Sequence, residues 1–265
     1  MTNMTFPGTH PKFSPGTFTP APRTNTVPAV LTALTRLETT LLLRNGEQLL
    51  LTMLLPITFL VGLTMLPIGD FLTPRVDTVL PVILAVAIMS TGFTGQAIAV
   101  GFDRRYGALK RLGANAIPKW AMLTGKSAAV LIVVSVQSII LGTIGAALGW
   151  RPSVNEALTL AAVIALGTAT FAALGLLLGG SLPAEIVLVL ANVLWFVQLG
   201  FCGISTVSKG QPSALQTVVG LTPSGALASA LRFANEGTMH LANFTVLTAW
   251  AVAAIWLARK TFKFS

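Results

Sequence analysis

The chain has 265 residues, of which 54% are hydrophobic and only 9% charged, with a formal net charge of +9 and a mean hydropathy of +0.80. Soluble domains carry about a quarter charged residues, so this composition excludes a soluble globular fold. The single cysteine, Cys202, excludes an internal disulfide framework and a cysteine-cluster metal site, and two isolated histidines, His10 and His240, argue against a histidine-based metal or catalytic centre.

Residues 1–28 form a Pro/Thr/Gly-rich leader with prolines at 7, 11, 15, 20, 22 and 28. It lacks the apolar core of a signal peptide and reads as a disordered cytoplasmic segment. Over 29–46 the pattern becomes helical. Val30, Leu34, Leu37 and Leu41 share one stripe, with Thr32, Thr35, Arg36 and Thr39 opposite. This predicts an amphipathic helix lying in the membrane interface.

Six apolar runs follow, each long enough to cross a bilayer: 48–68, 78–100, 123–149, 157–178, 184–206 and 240–258. With the N-terminus in the cytoplasm, that side holds Lys12, Arg23, Arg36, Arg44, Arg104, Arg105, Lys110, Arg111, Lys119, Lys126, Arg259, Lys260 and Lys263. Only Arg75, Arg151, Lys209 and Arg232 fall on the other side. This satisfies the positive-inside rule with both termini cytoplasmic. The net positive charge is therefore a topology signal, not a nucleic-acid footprint.

The longest basic interruption is 101–126, where Arg104, Arg105, Lys110, Arg111, Lys119 and Lys126 accompany a single acid, Asp103. Phe102, Tyr106 and Leu109 fall on one helical stripe and Arg104 and Arg111 roughly opposite. The pattern predicts a short amphipathic helix ended by Gly113, a turn over Asn115 to Pro118, and a new helix opened by Pro118. A basic amphipathic helix has two readings: it rests on anionic lipid, or it docks a partner protein. The outer loop 207–239 carries a second short helix, with Thr222 as cap, Pro223 in the first position and Gly237 as terminator. It is too short to cross, which predicts a re-entrant or surface hairpin.

Ionisable side chains are nearly absent from the spans. Glu185 lies in the first turn of the fifth, where the helix dipole accommodates an acid. Proton-coupled pumps hold buried acids or histidines, so the energy source lies elsewhere. The neutral polar residues Gln96, Gln137, Asn192, Gln198 and Asn243 read first as interhelical hydrogen-bonding groups. Gln96, Asn192, Trp195 and Gln198 are also candidates for lining a substrate path. The glycine pairs Gly145/Gly149 and Gly175/Gly179 signal close helix packing. Gly125-Lys126-Ser127 resembles the end of a phosphate-binding loop, but position 120 is Trp where glycine is required, and no strand precedes it. If ATP drives this protein, another subunit binds it.

The run from Asp103 through Arg104, Arg105, Tyr106, Gly107, Ala108, Leu109, Lys110 and Arg111 to Leu112, then Pro118-Lys119-Trp120 and Gly125-Lys126, resembles the first cytoplasmic loop of ABC-2-type transporter permeases. The segment from Leu221-Thr222-Pro223 to Arg232 is similar to that family's proline-started helix before the last span, and the likeness covers about 29–260. Tyr106 stands where a polar residue is common in the family, and Asn115 where Thr is frequent. The resemblance implies an all-α integral membrane protein. It would have six transmembrane helices, an N-terminal interfacial helix, a cytoplasmic coupling helix after the second span and an outer re-entrant hairpin before the sixth. It also implies a bacterial cell-membrane location and a permease domain over 29–265 after the leader.

The same resemblance implies an ABC ATPase subunit as partner, carrying ATP and magnesium that this chain itself does not bind, and a second permease, identical or sibling. Residues 103–112 would couple to the ATPase, and the first, second and fifth spans would face the pathway. A likeness to daunorubicin-type drug exporters suggests a hydrophobic or amphipathic cargo, although lipid and polysaccharide export use the same scaffold. Three other classes stay open on the residues alone: an ion-gradient-driven transporter, a membrane-embedded enzyme acting on lipid, and a scaffold subunit.

Overall fold

Apolar runs in a membrane must satisfy their backbone hydrogen bonds internally, and this chain does so entirely with helices over its described residues. The computed structural model describes residues 26–65, 76–114, 117–206 and 212–262. The expected leader up to residue 25, the turn residues Asn115 and Ala116, Lys209 in the outer loop, Arg75 and Lys263 lie outside them, as does the side chain of Leu112.

The helices are α1 (Val27–Arg44), α2 (Gly46–Met65), α3 (Val76–Ile88), a π-helical segment (Met89–Gly95), α4 (Gln96–Arg105) and α5 (Ala108–Ala114). They continue with α6 (Lys119–Ala147), α7 (Val154–Ser181), α8 (Ala184–Thr206), α9 (Ser213–Leu221), α10 (Pro223–Asn235) and α11 (Leu241–Thr261). Five are long and apolar enough to cross a membrane: the composite α3–α4, α6, α7, α8 and α11. The expected first span is α2, whose 20 residues reach about 30 Å.

The expected second span, 78–100, is longer in the structure. Helix runs without interruption from Val76 to Arg105, 30 residues, or about 45 Å against a hydrocarbon core of about 30 Å. Its last turn carries Asp103, Arg104 and Arg105, charges that a hydrocarbon core disfavours. Its π segment meets α7, and there the two helices approach closely. A Cβ on Gly175 would lie 2.8 Å from the carbonyl oxygen of Phe93, and one on Gly179 would collide with that of Ala97. The Gly175/Gly179 pair is a packing seam, as expected. Gly145/Gly149 is only half so: Gly145 faces Leu80, whereas Gly149 has φ +107° with nothing near it and ends α6.

The outer hairpin is packed into the bundle and is not a surface element. α9 and α10 meet at Thr222 with a 96° bend, and Ala226, Leu227, Ala230, Leu231 and Ala234 of α10 are buried in the main core. The Trp250 indole donates to the carbonyl of Leu221 at 2.9 Å. Trp250 is nine residues into α11, about 14 Å down its axis, so the bend lies beside the middle of that helix. A turn in that position survives only if its polar groups are satisfied. Thr222 achieves this, donating to Val219 O and accepting from Gly225 N. Pro223 and Gly237 take the positions the sequence predicts.

The apolar stripe of α1 is divided between the bundle and the outside. Leu34 is buried, but Leu37 and Leu41 are exposed. The face against α6 carries Leu31 and Leu34 in a small apolar cluster with Leu109, Ala121 and Met122, and also Glu38. A Cβ on Gly125 would sit 2.9 Å from that of Leu34. Gly125 is thus the point where α1 closes on α6, and the glycine that looked like a phosphate-loop remnant has a packing role.

Candidate functional site

Arg104, Arg105, Lys110, Arg111, Lys126, Arg259 and Lys260 gather at one end of the bundle, where α4 emerges, α7 ends, α8 begins and α1 and α5 lie across α6. The expected continuous helix over 103–112 is broken there. α4 stops at Arg105, the chain turns at Tyr106 and Gly107, and α5 restarts at Ala108. Gly107 has φ +70°, a left-handed conformation that costs other L-residues about 1–2 kcal/mol. The break matters because it separates side chains that one helix would have placed on a common face.

Three of those side chains point inward and fasten the turn. Asp103 Oδ2 accepts from Lys126 Nζ at 2.6 Å, and Glu38 Oε2 accepts from the same ammonium at 2.7 Å. Lys126 is only 5% exposed, so this one cation joins α1, α4 and α6 in a site with little water. A buried cation persists only with such partners. On the other side, Arg104 donates to the carbonyls of Gly179 and Leu182, both at 3.0 Å. These belong to the end of α7, where free carbonyls and the negative end of the helix dipole favour a cation. Leu109 anchors α5 in the cluster around Leu34.

The remaining side chains point outward. Tyr106 is 66% exposed and stacks on Phe102 with ring centres 5.9 Å apart. Lys110 and Arg111 are exposed, and Arg111 also donates to the carbonyl of Tyr106 at 3.1 Å. Arg105 pairs with Glu185 at the start of α8, both well exposed, which gives the acid a partner besides the helix dipole. An exposed pair of this kind contributes little stability. Between Arg104, Arg105, Pro183 and Glu185 a cavity of about 370 Å³ opens to the same surface.

Of the four candidate pathway residues, Gln96 opens α4 and Asn192, Trp195 and Gln198 lie on α8. Gln96 is buried with its Nε2 unpaired, against Gly175 of α7. Asn192 is exposed and donates to the carbonyl of Leu188 on its own helix at 2.7 Å. Trp195 packs edge-on to Phe196 at 5.0 Å, and neither its Nε1 nor the Oε1 of Gln198 has a partner. Gln137 behaves as an interhelical group: its amide donates to Thr52 O of α2 at 2.8 Å and its oxygen accepts from Thr91 of the π segment at 3.1 Å.

The sequence did not reveal Glu38. It stands 88 residues from Lys126, on a helix whose polar face was expected to meet water. The available signal was Lys126 itself, a cation several residues inside an apolar helix, which requires an acid nearby.

A family model described as ABC-2 type transporter matches residues 29–234. The chain belongs to the ABC-2 type transporter family. The match runs from α1 through the fastened turn into α10, so it includes α1, α4, α5, α6, α7 and the start of α8, but not Arg259 and Lys260 of α11. No curated protein matches the chain. As an ABC-2 type protein it is a multi-pass membrane component of an ABC-type transporter, working with an ABC ATPase.

Proposed function

We propose that this ABC-2 type protein is the permease of an exporter, moving a hydrophobic or amphipathic small molecule outward while a separate subunit hydrolyses ATP. The observation that carries this reading is the braced turn at the basic end of the bundle. Its outer face offers Tyr106, Lys110 and Arg111. Its inner face is tied to α7 by Arg104 and to α1 and α6 by Lys126. A force applied to the outer face then moves three helices as one body, which a loose loop on lipid would not do. The basic end is cytoplasmic on the positive-inside rule, and it faces the ATPase. The cationic outer face suits acidic groups on that subunit, because charge-assisted hydrogen bonds are the stronger ones.

A second permease, identical or sibling, completes the pathway. The exposed face of α8 supports this, with Ile186, Val189, Val193 and Phe196 apolar and Asn192 internally hydrogen-bonded. Such a face also suits apolar cargo. The test is reversal of Lys110 and Arg111 to Glu, which leaves the inner brace untouched. Membrane yield, co-purifying ATPase subunit and hydrolysis are measured together. Loss of the ATPase from a well-inserted variant supports the reading. Undiminished co-purification and hydrolysis would sink it.

A further inference from the structure

We propose that the outer face of α11 is a binding site for one anionic phospholipid, held by an acyl chain along the helix and a phosphate at its basic end. An open groove of about 800 Å³ runs along α11. Its floor carries the small residues Thr245, Thr248, Ala249 and Ala253, with Leu241 at one end and Trp256 at the other. From Leu241 to Trp256 is about 22 Å of helix axis, most of a hydrocarbon core of about 30 Å.

What selects the occupant is the charge at the groove's end. Residues three and four positions beyond Trp256 continue the same helical stripe, and they are Arg259 and Lys260. Lys260 Nζ lies 3.7 Å from the centre of the Trp256 ring, so its ammonium is held over the aromatic residue that closes the groove. Both cations are exposed. The platform beneath them is fixed: Thr261 and Ser181 share a hydrogen bond of 2.8 Å, and the Phe262 ring lies against Gly180 of α7. An open apolar groove that terminates in two cations is complementary to a lipid with an acyl chain and an anionic head. A transmembrane helix from a second copy would gain nothing from those charges.

The experiment uses the full chain purified in mild detergent and titrated with phosphatidylglycerol or phosphatidylcholine of identical acyl chains, with bound lipid counted by native mass spectrometry. The expected result is tighter retention of phosphatidylglycerol. Arg259→Gln and Lys260→Gln should each weaken it about fivefold while leaving phosphatidylcholine unchanged. Ala253→Leu, at an exposed position outside the core, should fill the groove and weaken both lipids. Equal retention of the two lipids by the native chain would overturn the proposal, as would unchanged phosphatidylglycerol binding in the glutamine variants. Disulfide cross-linking of Thr248→Cys between two copies in the membrane would also overturn it, assigning the groove to a protein interface.

Discussion

Lys126 binds Asp103 across 23 residues of sequence, Nζ to Oδ2 at 2.6 Å. The contact ties the end of one crossing helix to the start of the next, just inside the turn that separates them. Because Glu38 shares the same ammonium, the α1 helix is held in the same joint.

The joint should be steeply asymmetric. Lys126→Met leaves two carboxylates facing each other with no cation, and loss of one partner of a buried pair costs about 3–5 kcal/mol. Asp103 is 36% exposed and Glu38 13%, so water can replace more of what Asp103 loses. Asp103→Asn should cost about 1 kcal/mol or less, with Glu38→Gln between the two. Thermal unfolding of the three variants in detergent checks the order. An Asp103 variant as unstable as the Lys126 variant would contradict it.

Bracing and docking separate at Arg104 and Lys110. Arg104→Ala leaves the carbonyls of Gly179 and Leu182 without their donor, a loss of about 1–3 kcal/mol for unsatisfied groups. The outer face stays intact, so the ATPase subunit should still co-purify while cargo-stimulated hydrolysis falls. Lys110→Glu should act in reverse, releasing the subunit with unfolding unchanged. Arg104→Lys should not rescue, because a single ammonium does not reproduce the guanidinium's fork of donors.

Gly107→Ala tests the turn itself. Its φ of +70° makes alanine unfavourable by about 1 kcal/mol. No atom lies within 4 Å of a Cβ placed there, so the penalty comes from the backbone and not from crowding. Gly107→Asn, which tolerates that conformation better, should retain more stability and more coupled hydrolysis than Gly107→Ala.

The seam that α7 makes with the π segment and the start of α4 predicts a contrast among glycines. Gly179→Ala drives a methyl into the backbone carbonyl of Ala97, and backbone cannot rotate away. Overpacking of this kind costs about 1–3 kcal/mol or more. Gly200→Ala and Gly203→Ala on α8 meet nothing within 4 Å and should leave stability unchanged or slightly raised. Membrane yield and unfolding temperature of the three variants decide it.

The sequence by itself determined the all-helical membrane class, the basic end, the Thr222–Pro223 cap and the Gly175/Gly179 seam. Each depends on local chemistry: run length, charge placement, a capping hydroxyl, a missing side chain. It also marked 103–112 as the segment of interest, but with the wrong internal geometry. The stripe through Phe102, Tyr106 and Leu109 assumed one continuous helix. A left-handed residue at Gly107 resets the helical phase, so Leu109 is buried while Tyr106 is exposed.

Only the tertiary structure decided which charges face inward. Arg104 and Arg111 looked equivalent in the sequence, yet one caps α7 and the other lies on the surface, because the end of α7 arrives beside Arg104 from 75 residues away. Glu38 met Lys126 for the same reason: a buried cation needs an acid, but sequence spacing does not say which acid the packing of α1 against Gly125 will deliver. The position of the α9–α10 bend was also a tertiary fact, fixed by the Trp250 hydrogen bond to Leu221. Local patterns set what each helix is, and long-range packing set which side chains were left facing outward.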